Sequence, residues 1–437
     1  MTNFGVDATP RRVMRPPVVL LACVVLGAGC GSSSLTHQTL PDGALVDGAR
    51  PDAAAADATR LDATPVDAGR GRAVDILFMI DNSSEMTSMQ QKLIAQLPAF
   101  ISTLENLPGG LPDVHIAVVS SDMGAPGDSA SSIGCTADGD QGVFHFAPQG
   151  TCTASGLAPG ATFISNVGGV ANYTGALDQT LSCIALLGAK GCGFEHQLAS
   201  VARALGADGA LPPAQNAGFL RPDAELAIFL LTNEDDCSAP ADTKLYSLNG
   251  APQSLANPLG PIQNYRCNQF GHLCKDPTGA QPDVTIPPPL ALPSDATGDP
   301  PKLALTDCTS DDGPDGLLTP LATFVGEIKA LKADPSRVVA GAVIGPTVPY
   351  TVAWVPPASP PPGTSGELWP FTLHSCGAPG TYGPNPGAQT STDGSFGDPG
   401  VRVSQWVEAL GGVTGSVCDP DYAEALQAFA GAIGQHL

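Results

Sequence analysis

The sequence predicts an α/β fold: a doubly wound, mostly parallel sheet with long disulfide-stapled loop insertions. Three observations predict it. Apolar runs of strand length alternate with segments of helical period. Each run is nearly continuous, as expected for parallel strands covered on both faces. Ten cysteines follow residue 100, and six of them fall in Gly- and Pro-rich stretches that fit neither period.

The first strand is Val74–Ile80, and it ends in the turn Asp81-Asn82-Ser83-Ser84-Glu85. A helix follows from Thr87, with Met89, Leu93, Leu97, Phe100, Ile101 and Leu104 mostly at three- and four-residue steps. Pro98 falls inside this run and predicts a kink. Val114–Ser120 reads as a second strand. Two helices follow, over 174–188 and 194–206, parted by a loop around GAKGC. Strands at Glu225–Thr232 and Val338–Ile344 flank a helix at Leu318–Leu331. Val401–Leu410 is helical, Gly415–Cys418 is a weaker strand, and Tyr422–Leu437 closes the chain as a helix with Tyr422, Leu426, Phe429 and Ile433 on one face. Strand–helix alternation of this kind builds layered α/β structures.

Three stretches interrupt the alternation: 121–165, 238–316 and 346–400. They read as long loops, and loops of this length in a compact domain are functional or stapled. Asp307–Gly316, DCTSDDGPDG, has not the spacing of the helix–loop–helix calcium motif and reads as a solvated acidic turn.

The N-terminal residues follow a different logic. Arg11, Arg12 and Arg15 precede an apolar core, Pro17–Ala28, too short to span a bilayer; residues 1–30 read as a signal peptide. Its end, Leu26-Gly27-Ala28-Gly29-Cys30, resembles a bacterial lipobox with leucine one position early, which implies a diacylated Cys30. Gly31 is not the aspartate of a retention signal, so outer-membrane sorting is favoured, on the periplasmic or cell-surface side. Residues 31–72 form a tether. Asp42, Asp47, Asp52, Asp57, Asp62 and Asp67 recur every five residues, a period that suits neither helix nor strand. Such a segment has too little apolar surface to offset its ordering entropy.

The formal charge of −23 lies entirely in residues 73–437, because seven Arg and seven Asp cancel before that. An acidic domain argues against nucleic acid and anionic lipid as electrostatic partners. The ten later cysteines are Cys135, Cys152, Cys183, Cys192, Cys237, Cys267, Cys274, Cys308, Cys376 and Cys418. An even number in an exported chain reads as disulfides. Paired C-x-x-C motifs, as zinc would require, are absent. Short loops favour Cys135–Cys152, Cys183–Cys192 and Cys267–Cys274. HExxH, GxSxG and phosphate-cradling motifs are absent too. His115 reads as structural and His196 as a helix-surface residue.

The run VDILFMIDNSSEM, Val74–Met86, resembles the Asp-x-Ser-x-Ser signature of the von Willebrand factor A family. The resemblance spans roughly 73–437 and is closest to cysteine-rich tethered A-domain lipoproteins of myxobacteria. It implies an open sheet with its first and fourth strands side by side, and a metal-ion-dependent adhesion site above them, built by three loops. Asp81 and Ser83 match the family's aspartate and first serine, while Glu85 replaces the second serine. In Gly191-Cys192-Gly193-Phe194-Glu195, Cys192 stands at the family's threonine, with Glu195 beside it. In Leu231-Thr232-Asn233-Glu234-Asp235-Asp236, Asn233 stands at the family's aspartate. The implied metal set is Asp81, Ser83, Glu85, Glu195, Asn233 and Asp235, for Mg²⁺ or Ca²⁺. Glu85 adds charge beside the ion and fills the vacancy a partner's carboxylate would use. The expected function is a lipid-anchored, non-enzymatic binding or adhesion module with a protein partner at the cell envelope. The alternatives are a disulfide-stapled structural protein without metal, or an enzyme within the inserted loops.

Overall fold

The computed structural model describes residues 72–127, 134–150, 152–277, 302–378 and 388–437. The expected signal peptide with Cys30, and the tether up to residue 71, lie outside the described residues.

The elements in chain order are β1 (Ala73–Ile80), α1 (Thr87–Glu105), β2 (Asp113–Ser120), β3 (Ile164–Val167), β4 (Val170–Ala171), α2 (Leu177–Ala185), α3 (Gln197–Leu205), β5 (Glu225–Leu231), α4 (Tyr265–Gly271), β6 (His272–Lys275), β7 (Lys302–Ser310), α5 (Leu321–Lys329), β8 (Val338–Ile344), β9 (Tyr350–Val355), β10 (Trp369–Leu373), β11 (Cys376–Gly377), β12 (Gln389–Thr390), α6 (Val401–Ala409), β13 (Val413–Ser416) and α7 (Ala423–His436).

The central sheet has seven strands in the order β13-β8-β5-β1-β2-β3-β4. Strands β13 through β2 are parallel, and β3 and β4 form an antiparallel edge. Helices cover both faces. Val74, Ile76, Phe78 and Ile80 of β1 face α1, α2 and α7, where Leu97, Leu181 and Phe429 are buried. Leu77 and Met79 face the other way, with Leu198 of α3, Phe324 of α5 and Trp406 of α6. Successive strand residues point to opposite faces. Both sets must therefore be apolar, which is why these strands read as unbroken apolar runs.

Asp75 is the exception within β1. It is fully buried, and its carboxylate accepts from the Arg221 guanidinium at 2.7 Å and the Arg221 N–H at 2.7 Å, with Lys332 Nζ 3.8 Å away. Burial raises its pKa against these cationic partners. The cluster sits at the amino end of β1, away from the turn at Asp81.

The six expected helices and five expected parallel strands are present, with ends within about three residues. Helix α1 runs through Pro98 without a break. The insertions differ from the expectation of plain loops. Strands β6, β7, β9 and β10 form a second, antiparallel sheet in the order β10-β9-β7-β6, over a small core of Tyr265, Leu305, Tyr350, Val352 and Trp354.

The cysteines pair as five disulfides: Cys135–Cys192, Cys152–Cys183, Cys237–Cys267, Cys274–Cys308 and Cys376–Cys418. This corrects the short-loop pairings Cys135–Cys152, Cys183–Cys192 and Cys267–Cys274. The bridged residues lie 30 to 57 positions apart. Tertiary proximity set the partners: Cys183 on α2 lies over the loop where Gln149 N–H donates to the Cys183 carbonyl, next to Cys152. Five disulfides belong to an oxidising, exported setting. Among the described residues, no helix is long and apolar enough to cross a membrane.

Candidate functional site

Asp81 ends β1 between the ends of β2 and β5, and its carboxylate spans all three strands. Oδ1 accepts from Ser83 N–H at 2.8 Å and Ser121 Oγ at 3.0 Å; Oδ2 accepts from Thr232 Oγ1 at 2.8 Å. Burial raises its pKa against these bonds. The Asp81 amide donates to the Leu231 carbonyl, so the turn begins where strand pairing stops.

Six further bonds, from three segments, bring separated loops to this turn. Gln90 of α1 donates from Nε2 to the carbonyls of Asp81 and Gly188, and accepts from the Gly188 amide. The Gly191 amide donates to the Asn82 carbonyl at 2.7 Å. A Cβ at Gly191 would lie 2.1 Å from Asn82 Oδ1, so only glycine permits this approach. Gln197, opening α3, donates to Thr232 Oγ1 at 2.9 Å and to the Glu234 carbonyl at 3.1 Å. A fourth segment, which sequence reading did not single out, joins here: the Asp398 amide donates to the Asn233 carbonyl at 2.7 Å.

Buried polar atoms are normally hydrogen-bonded. Here several are not. Asn82 Oδ1, Ser83 Oγ, Glu195 Oε1 and both Oδ1 and Nδ2 of Asn233 are buried without a partner. Ser83, Glu195 and Asn233 are at most 2% exposed. They come from three loops, at the carboxyl ends of β1 and β5 and ahead of α3. Open α/β sheets bind ligands outside the carboxyl ends of their strands.

The carboxyl group of Glu195 lies beside that of Glu234, whose charge disfavours its ionisation. Burial first, then the charge of neighbouring carboxylates, raises both well above the usual carboxylate range; Asp81 acts on both, and Asp398 and Glu85 on Glu234. Glu85 itself is exposed on the rim. A cleft of about 380 Å³ opens over Glu85, Glu195 and Glu234. The unpartnered set is rich in oxygen, which suits a hard cation. Among the described residues, no group of three or more His, Cys, Asp or Glu is arranged to hold a metal ion. The candidate set therefore depends on hydroxyl and amide oxygens beside the carboxylates.

Asp235, expected among the ligands, is committed elsewhere. Its Oδ2 accepts from His272 Nε2 and Arg402 N–H, each at 2.7 Å, and Oδ1 from Val403 N–H at 3.0 Å. It thereby satisfies the first turn of α6. Burial pushes its pKa up, and the His272 and backbone bonds together hold it below the usual range. Asp236 serves α3 likewise, through Leu198 N–H, and pairs with Arg402. Asp312 does so for α5, through Leu321 N–H and Ala322 N–H. Cys192 is bridged to Cys135 rather than Cys183, and the bridge leaves no oxygen at the threonine position. His196, expected on a helix surface, is 3% exposed. Burial depresses its pKa to about 3, and Nδ1 has no partner.

Glu234, Asp398, Ser121 and Thr232 were not named as site residues from sequence. Ser121 and Thr232 each directly follow a strand flanking β1, a position that could have marked them. Asp398, in an insertion, carried no such signal.

No protein-family model matches this chain, and no curated protein matches it. Among solved structures, the pilus adhesin SpaC from Lactobacillus rhamnosus GG in an open conformation aligns at 12% identity over 83% of this chain and 30% of that one, with a TM-score of 0.30. The pilus adhesin RrgA from Streptococcus pneumoniae aligns at 13% identity over 45% and 23%, with a TM-score of 0.19. The chain spans under a third of either structure's length, and likeness this loose carries no functional weight.

Proposed function

We propose that the chain is a binding module of the von Willebrand factor A type, lipid-anchored through Cys30 and held off the membrane by residues 31–72. It binds a protein partner at the cell envelope with the help of a hard divalent cation, and it is not an enzyme. One observation carries the reading: buried, unpartnered oxygens of Ser83, Glu195 and Asn233 stand on three loops at the carboxyl rim of the sheet. The side-by-side placement of β1 and β5, the first strand and its neighbour beneath the site, supports the family assignment.

Ser83 Oγ, Asn233 Oδ1 and the carboxyls of Glu195 and Glu234 would hold the ion. Asp81 stands behind them and orients Ser83 through its amide. The ion, Ca²⁺ or Mg²⁺, would supply positive charge that offsets the buried carboxylates. Glu85 meets part of that charge from within, so recognition shifts toward the walls of the cleft.

Calorimetric titration of the full-length chain with Ca²⁺ and with Mg²⁺ tests this. Saturable binding is expected in the parent, weakened about tenfold or more in Ser83→Ala and in Glu195→Gln, in line with the loss of a ligand or its support. A second reading, a structural module without metal, is favoured by the complete hydrogen bonding of Asp81. Absence of cation binding in the parent at millimolar concentrations would establish it over the first.

A further inference from the structure

A second cleft, of about 360 Å³, lies between the site and the inserted sheet. It shares Glu85, Glu234 and Asn264 with the first cleft, so the two adjoin. Its walls have two chemistries. Glu85, Glu234 and Asp398 supply carboxylates, and no Lys or Arg lines it. Phe371, His374 and Phe396 supply ring faces: His374 and Phe396 lie 4.2 Å apart by centroid at 34°, and Phe371 meets His374 edge-on at 6.0 Å. Asp398 Oδ1 is hydrogen-bonded to His374 Nδ1 at 2.6 Å, which fixes the carboxylate against the ring wall. The adjoining cleft is lined by Glu195, 2% exposed with Oε1 unpartnered, and by the exposed Lys190.

Carboxylates alone would suit a metal ion, and rings alone an apolar chain. Together they select an organic cation, which ring quadrupoles and carboxylates both attract. A planar guanidinium stacks on rings and bonds carboxylates through its fork, where an ammonium acts as a point charge. We infer that this cleft takes an arginine side chain of the protein partner. The inference rests on the reading above in taking the partner to be a protein; the cleft shares Glu85 and Glu234 with the proposed cation site, while Phe371, His374, Phe396 and Asp398 line this cleft and not the first.

The test uses ligand-observed saturation-transfer NMR on the full-length chain, with Nα-acetyl-argininamide and its neutral isostere Nα-acetyl-citrullinamide as probes. Saturable millimolar binding of the arginine probe is expected, with the citrulline probe about tenfold weaker or worse. Phe396→Leu and Asp398→Asn should each weaken the arginine probe about fivefold or more, while calcium binding of Phe396→Leu stays at the parent value. Phe396→Leu is the conservative core of the test, since Asp398 also anchors a loop. Equal binding of the two probes, or parent-like binding in Phe396→Leu, overturns the inference. A parent that binds calcium but not the arginine probe sinks this inference and leaves the cation reading standing. A parent that binds the arginine probe but no cation does the reverse.

Discussion

The residues around the site answer two demands, and His196 shows how they separate. Glu195 faces the carboxylate cluster, while its neighbour His196 is enclosed against the ring of Tyr246, 5.0 Å away and perpendicular. Burial lowers the His196 pKa from 6.5 to about 3. In the unfolded chain the imidazole takes up a proton near pH 6.5, and in the folded chain it does not. Its contribution to stability is therefore whole above pH 6.5 and lost progressively as pH falls toward 3. At pH 5 the deficit is about 2 kcal/mol, at roughly 1.4 kcal/mol per unit. Urea unfolding at pH 7 and pH 5 checks this: His196→Gln should lose less stability than the parent over that interval, by about 2 kcal/mol. Equal losses would show that the ring titrates freely in the fold. At this scale the sequence exposed Asp81, Ser83 and Asn233 because each directly follows, or lies within three residues of, a strand end. It concealed that Asp235 serves a helix rather than the site, because the His272, Arg402 and Val403 groups that claim its oxygens lie 37 to 168 residues away.

Elements were legible in proportion to how locally their burial is decided. The parallel strands β1, β2, β5 and β8 are buried on both faces, so each announces itself as an apolar run, whereas the edge strand β13 is largely half-buried and reads weakly. The second sheet does not. Strand β7 is mostly exposed or half-exposed along its length, and its sequence Lys302–Ser310 mixes polar and apolar residues accordingly. Tyr350–Val355 and Trp369–Leu373 carry the β-branched and aromatic residues of strands, a signal outweighed by the Gly- and Pro-rich stretches around them. Gly341, in the middle of β8, is a further case where the element's packing explains an odd residue. A Cβ there would lie 2.9 Å from Phe429 of α7 and 3.1 Å from Phe229 of β5. Those two rings are 5.2 Å apart by centroid and close the core over the sheet. Gly341→Val should therefore cost about 1–3 kcal/mol through overpacking, despite valine's strand propensity. Chemical denaturation measures it, and a variant as stable as the parent would mean that α7 is free to shift outward.

At the scale of the whole molecule, the disulfides divide by what they hold together. Cys135–Cys192 ties the insertion after β2 to the loop that carries Glu195, and both cysteines are buried in a small core with Phe194, Cys237 and Tyr246. Cys274–Cys308 joins β6 to β7 within the second sheet. A disulfide stabilises chiefly by restricting the unfolded chain, by about 2–4 kcal/mol for loops of this size. On stability alone, removal of either bridge should then look similar. Their places in the fold predict different functional effects. The loop before α3 has few other fixings: the paired Gln90 side-chain bonds to Gly188, the Gly191 amide bond to Asn82, the Cys237 amide bond to the Glu195 carbonyl, and the His196 amide bond to the Ser121 carbonyl. Freeing Cys192 loosens the segment that places Glu195 beside Glu234, whereas freeing Cys274 loosens a strand pair remote from that loop in the chain. A Cys135→Ala/Cys192→Ala double variant should lose stability and, on the proposed cation-binding reading, cation affinity as well. A Cys274→Ala/Cys308→Ala double variant should lose comparable stability while keeping cation affinity within about twofold. Denaturation paired with calcium titration on the two variants measures both quantities. Equal losses of affinity would mean that the rim of the sheet and the inserted sheet respond as one cooperative body, so that the insertions set the site's geometry rather than only walling it.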